Sequence, residues 1–311
     1  MKYFKRFYNL LKPAFLEFNR DNAIKLSASL SYYTIFSLAP MIIIIISLSG
    51  LFFGRAAVEG KVYGQLKGLI GSVASLQIED IIRNIQQSQH TVAGAVIGFI
   101  VLLIGATGVF AEIQGSINYI WNIQAKPKKG WLKLLINRLL SFSLVVAISF
   151  VLMVSLLVNA LLDLLSDNLK RYFAHITVYV LYMVNLVLLL VIITSLFTVI
   201  FKILPDARIR WKDAITGASF TAILFLLGKV LIGVYLGNSK IGLTYGASAS
   251  VVIILTWVYY SSIILYFGAE FTKVYALRHG GGISPGANAV YIIKQETKQV
   301  PAALATGPEE D

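Results

Sequence analysis

Six long apolar runs, separated by short polar connections, dominate the chain. They are Leu26–Phe53, Thr91–Ala111, Leu139–Leu162, Ile176–Phe201, Ala214–Leu236 and Tyr245–Phe271. Each reaches the ~20 residues that a helix needs to cross ~30 Å of hydrocarbon. The pattern therefore predicts an all-α, polytopic integral membrane protein with six transmembrane helices. A soluble chain of 311 residues would need far more charge than this one carries. Here 57% of residues are apolar and only 14% are charged, too few charges to cover a water-exposed surface. The first run follows 25 residues of basic lead-in and exceeds signal-peptide length, so it reads as a retained span.

The connections set the orientation. Nineteen Lys and Arg residues fall in the N-terminal segment, in the connections after spans two and four, and in the C-terminal tail; the opposite side holds seven. The positive-inside rule then places both termini in the cytoplasm. It also explains the net charge of +12 without nucleic acid, because the basic residues come in short clusters between apolar runs. Trp121, Trp131 and Trp211 lie in the predicted cytoplasmic connections, where interfacial anchors belong.

Three regions follow: a basic cytoplasmic segment, 1–25; a six-helix body, 26–275; and a polar, Gly/Pro-rich tail, 276–311, predicted to be disordered. The one long external connection, 54–90, repeats Val58, Val62, Leu66, Leu69, Ile70 and Val73, then Ile78, Ile81, Ile82 and Ile85, at helical spacing. That spacing predicts two amphipathic helices at the outer interface, which either seal the bundle or offer a contact surface.

Enzyme motifs are missing from the sequence. His90, His175 and His279 have no metal-ligand partner at i+3 or i+4. Neither a Walker loop nor a Gly-x-Ser-x-Gly elbow occurs. With no cysteine in the chain, thiolate chemistry and disulfides are excluded. No catalytic residue, metal or cofactor is expected.

Polar residues within the spans are the remaining signal, since their burial in hydrocarbon is costly. Lys229 in span five, with Asn159 and Asn185 at comparable depth, forms a candidate polar pathway. Lys229 alternatively snorkels to the outer headgroups, and either Asn alternatively glues helices together. Glu112, Asn118 and Glu270 form a candidate site at the cytoplasmic ends, with pairing to the basic loops as the plainer reading. Pro40 breaks span one and frees a backbone carbonyl.

Several strings carry a resemblance. Leu26-Ser-Ala-Ser-Leu-Ser-Tyr-Tyr-Thr-Ile-Phe-Ser-Leu-Ala-Pro40, Ile117-Asn-Tyr-Ile-Trp-Asn122, Leu204-Pro-Asp-Ala-Arg208 with Trp211 and Gly217-Ala218, Tyr245-Gly-Ala-Ser, Leu255-Thr-Trp-Val-Tyr-Tyr260 and Gly268-Ala-Glu-Phe271 occur in order along residues 20 to 275. Together they resemble the YihY/BrkB family of bacterial inner-membrane proteins. The resemblance implies six helices and a bacterial plasma-membrane location. It also directs attention to Tyr33, Pro40, Asn118, Trp121, Pro205, Lys229, Tyr245, Gly246, Trp257, Gly268 and Glu270. Members of the family have carried the name ribonuclease BN, but this sequence offers no acid–base pair or metal cluster for that chemistry.

The sequence thus points first to a transporter or flippase for a small solute or a lipid-like amphiphile. A non-transporting scaffold that binds envelope proteins is the alternative, and a membrane hydrolase ranks last. The bilayer is the expected partner, nucleic acid is not, and the oligomeric state is left open. Topology reporters fused after Lys12, Lys129, Arg210 and Lys298 are expected to read cytoplasmic, and those after Lys67 and Lys170 external. A cytoplasmic reading at Lys67 would overturn the orientation.

Overall fold

The computed structural model describes residues 2–37, 72–73, 75–77, 108–126 and 174–294. These comprise helices α1 (Lys2–Arg20), α2 (23–37), α3 (108–120), α4 (Ala174–Ile203), α5 (Trp211–Asn238), α6 (Ile241–Tyr245) and α7 (Ala249–Arg278). Four short strands accompany them: β1 (Ile123–Ala125), β2 (Ala207–Arg208), β3 (Ser284–Pro285) and β4 (Ala289–Tyr291). Span three, Pro40, Asn159 and nearly all of connection 54–90 lie outside the described residues, as does most of spans one and two.

Helices α4, α5 and α7 are long and apolar enough to cross a membrane. They correspond to the predicted spans four, five and six. Span six starts later than the apolar run suggested. Gly246 sits at φ +51°, a left-handed conformation that suits glycine, and separates α6 from α7. The outer faces of α4 and α5 carry Met183, Val187, Val191, Ile223, Leu227, Leu231 and Val234, all exposed, the arrangement that lipid tails solvate. Small residues point inward instead, among them Ala214, Gly217, Ala218, Thr221 and Ala222.

Those small residues fix the α5–α7 crossing. A β-carbon at Gly217 would overlap the Thr272 side chain, and one at Gly268 would overlap Thr221. Each threonine in turn donates its hydroxyl to its own helix: Thr221 Oγ1 to the Gly217 carbonyl at 2.8 Å, and Thr272 Oγ1 to the Gly268 carbonyl at 2.6 Å. Two Gly-x-x-x-Thr units therefore dock reciprocally. Close approach of backbones supplies the contact that water-driven burial supplies in a soluble bundle. In α2, Ala23, Ser27, Leu30, Ser31 and Ser37 form the buried stripe, while Ile24, Tyr32 and Phe36 are exposed. Its hydroxyls bond back to carbonyls one turn earlier, for example Ser27 Oγ to Ala23 at 2.8 Å, so polar atoms enter the bundle already satisfied.

Helix α1 closes one end of the bundle. Leu10 and Ala14 pack with Phe271 and Val274, Phe18 meets Phe267 edge-on at 5.8 Å, and Phe7 meets Phe220 at 6.1 Å. Within the basic segment, α1 is thus an amphipathic helix docked on α7, with Phe7 reaching Phe220 of α5. Asn22, at φ 51°, breaks the helix between α1 and α2.

The predicted disorder of the tail fails for residues 276–294. Helix α7 continues to Arg278, β3 pairs with β2, and β4 pairs with β1, both antiparallel. Asp213, 4% exposed, accepts the Gly281 amide at 2.8 Å. Its carboxylate fills the space where Gly280 would carry a β-carbon. The glycines therefore permit a tight wrap over the start of α5 and do not signal a loose tail. Trp121 is likewise no interfacial anchor. It is 3% exposed and donates Nε1–H to the Ala269 carbonyl at 3.0 Å, tying the end of α3 to α7. Trp211 is exposed, as an anchor should be.

Gly268→Ala is expected to destabilise the protein by about 1–3 kcal/mol through overpacking. Adding Thr221→Gly should recover part of that loss. Thermal unfolding in a mild detergent, followed by size-exclusion recovery, reads both changes.

Candidate functional site

The polar groups concentrate where α1, the end of α7 and the C-terminal segment meet. Glu17 and Asp21 are four residues apart, on α1 and the turn after it. Glu270 and Lys273 are one turn apart on α7. Helical spacing sets each pair on one face, and α1 lies across α7 so that the faces oppose. Lys273 Nζ lies 3.0 Å from Glu17, 3.4 Å from Glu270 and 3.6 Å from Asp21. Lys294, delivered by the strand pairing of β4, reaches the other oxygen of Asp21 at 2.7 Å. The group is deeply placed: Glu270 is 0%, Asp21 2% and Lys273 5% exposed. One oxygen from each of the three acids lies within 4.8 Å of the others. The Lys273 ammonium, within 3.0–3.6 Å of all three acids, serves as their common cation.

Burial pushes the Lys294 ammonium below its ordinary pKa, and the Asp21 carboxylate beside it opposes that shift. The same ammonium rests 3.6 Å from the centre of the Tyr119 ring, a cation–π contact that offsets part of its lost hydration. Glu17, Arg20, Asp21, Asn122 and Lys294 line a cavity of about 260 Å³.

A second polar centre adjoins it. Asn118 and Asp206 exchange two hydrogen bonds: Asn118 Nδ2 donates to Asp206 Oδ2 at 2.9 Å, and the Asp206 amide donates to Asn118 Oδ1 at 2.8 Å. Gln114 donates to the same carboxylate at 3.1 Å. These groups border a cavity of about 380 Å³ that also includes Tyr119, Gln124 and Ile292. Ile292 lines both cavities.

Of the three residues expected at the cytoplasmic ends, each engages a separate partner. Glu270 enters the Lys273 network, Asn118 binds Asp206, and Glu112 accepts from Ser116 at 3.5 Å. Of the candidate pathway, Lys229 is half-buried on α5 and Asn185 is exposed on α4. Each stands 18 residues from the α4–α5 connection, counting from Ile203 and Trp211, or about 27 Å along its helix. The two thus stand equally far along their helices from that connection. Sequence reading missed Glu17, Asp21, Asp206, Lys273 and Lys294. The i,i+4 acids Glu17 and Asp21, and the i,i+3 pair Glu270–Lys273, were the signals available.

A family model for the virulence factor BrkB matches residues 14–291. The chain belongs to this family. The match takes in Ala14–Arg20 of α1 and extends through β4, so Glu17, Asp21, Glu270 and Lys273 fall within it, and Lys294 lies three residues beyond. A UPF0761 membrane protein of Vibrio vulnificus is 24% identical over 265 residues, covering 82% of this chain and 78% of the relative. One from Alteromonas mediterranea is 26% identical over 287 residues, 86% and 90% of the two chains. One from Teredinibacter turnerae is 28% identical over 270 residues, 85% of this chain but 60% of that relative. These relatives are named as membrane proteins, and none of the three carries an enzymatic name. No solved structure matches the chain.

Lys273→Met leaves three neighbouring carboxylates without their shared cation and is expected to cost about 3–5 kcal/mol, the range for breaking a buried pair. Adding Glu270→Gln removes one stranded charge and should restore part of the stability. The midpoint of thermal unfolding of the single and double variants checks this.

Proposed function

We propose that this BrkB-family membrane protein is a transporter or flippase of the bacterial inner membrane, moving a small solute or a lipid-like amphiphile. In this reading six helices span the bilayer and both termini are cytoplasmic. The ion network of Glu17, Asp21, Glu270, Lys273 and Lys294 then closes the cytoplasmic mouth. That network is the observation that carries the reading. Burying Asp21, Glu270 and Lys273, with Glu17 and Lys294 partly buried beside them, at the end of a membrane helix is costly, and a solely structural helix end is met more simply by apolar packing. Two further features support it. Polar cavities of about 260 and 380 Å³ flank the network, and Lys229 on α5 and Asn185 on α4 stand equally far from the α4–α5 connection. Helix α1 meets α7 through the Lys273 ion pairs, the Phe18–Phe267 contact and the apolar Leu10 and Ala14, and Lys294 ties the C-terminal segment to Asp21. Such contacts separate more readily than the interlocked α5–α7 crossing.

The absence of cysteine makes alternating access directly testable. Single variants Lys229→Cys and Asn185→Cys are expected to react with a membrane-impermeant maleimide from the outside in right-side-out vesicles. They should also react from the cytoplasmic side in inverted ones. Labelling from one side alone would contradict a pathway through these positions.

A further inference from the structure

We propose that Asp21 and Glu270 form a proton-binding site, with one proton shared between the two buried carboxyl groups. The inference stands on the geometry of the cluster and does not depend on transport.

Three acids face two lysines in this group, and the short contacts leave one acid over. Lys273 is nearest to Glu17, at 3.0 Å, and Lys294 is nearest to Asp21, at 2.7 Å. Glu270, with no exposed surface, receives only the 3.4 Å contact from Lys273. Arg20 supplies a third cation, but it is half exposed and sits 3.7 Å from Glu17 at the rim, where water screens it. From α1 and its turn, then, Glu17, Arg20 and Asp21 face the site. Glu270 and Lys273 face it from α7, and Lys294 from the C-terminal segment.

The hydrogen bonding independently calls for a ligand. Asp21 Oδ2 and Glu270 Oε1 are both buried and, among the described residues, neither accepts a hydrogen bond, Asp21 Oδ2 having only the 3.6 Å ion contact from Lys273. A buried carboxylate oxygen without a donor loses its hydration uncompensated. A proton converts one carboxylate from pure acceptor to donor, so a hydroxyl on Glu270 removes the surplus charge and offers its neighbour the missing hydrogen bond. The proton comes from hydronium in bulk solvent, which gives up one O–H bond and becomes water as the Glu270 carboxylate forms its own O–H bond. A metal ion fits less well. Hard cations sit about 2.0–2.6 Å from each oxygen, and the Lys273 ammonium already occupies the position between the three acids. Because Asp21 also lines the cavity of about 260 Å³, the pair borders a space through which water can deliver and remove the proton.

Infrared difference spectroscopy of the full chain in lipid nanodiscs tests this, using the carboxylic C=O stretch and its shift in heavy water. At neutral pH the wild type should show a protonated-carboxyl band that disappears on alkaline titration. Glu270→Gln should abolish that band, and Asp21→Asn should displace its frequency. Absence of the band in the wild type would overturn the proposal whether or not the variants fold. So would a band that persists unaltered in a folded Glu270→Gln protein. The same wild-type sample titrated with magnesium or manganese at neutral pH should keep the band. Stoichiometric loss of the band on adding either ion would overturn the proposal and show a divalent-cation site instead.

Discussion

The ammonium of Lys273 holds the end of this molecule together. It lies within 3.0–3.6 Å of three acids drawn from two separated stretches of chain, Glu17 and Asp21 before α2 and Glu270 one turn away on α7. Lys294 extends the network to a third stretch. Charges buried this deeply give little net stability over a well-packed apolar core. What they impose is position, because each member left alone is strongly unfavourable. Helix α1, the end of α7 and the C-terminal segment are therefore tied by one set of ion pairs, in which each member needs the others in place.

That conditional arrangement contrasts with the middle of the bundle. There α5 and α7 interlock through Gly217 against Thr272 and Gly268 against Thr221, a contact of backbone and small side chains with no charge in it. Packing of that kind has no low-cost open state. The molecule thus joins a rigid crossing to an end fastened by ion pairs and edge-on rings such as Phe18 against Phe267, 5.8 Å apart. A moving part, where there is one, belongs at that end.

The long apolar runs made α4, α5 and α7 legible, since hydrophobic length is a local property of the chain. Strings such as Gly268-Ala-Glu-Phe271 led to the family and pointed at Glu270. Its partners were harder to see. Lys12, Arg20 and Lys25 read as sorting charges, which hid the amphipathic face Leu10, Ala14 and Phe18 running through the same segment. The tail misled for a physical reason: Gly280 and Gly281 resemble linker residues, yet they are glycines because Asp213 packs against them. The pairing of Ile123 with Tyr291 joins residues 168 positions apart, and no local pattern announces it. Trp121 was placed by its neighbourhood of basic residues, whereas its indole N–H finds a carbonyl inside the bundle.

Hydrogen–deuterium exchange of wild type and Lys273→Met in nanodiscs measures the shared fastening most directly. If Lys273 fastens the end as one unit, amides around 17–21 and around 289–294 lose protection together, while the α5–α7 crossing near Gly217 and Gly268 keeps its own. Unchanged protection in either terminal segment, or loss confined to the crossing, would contradict the role given to this lysine.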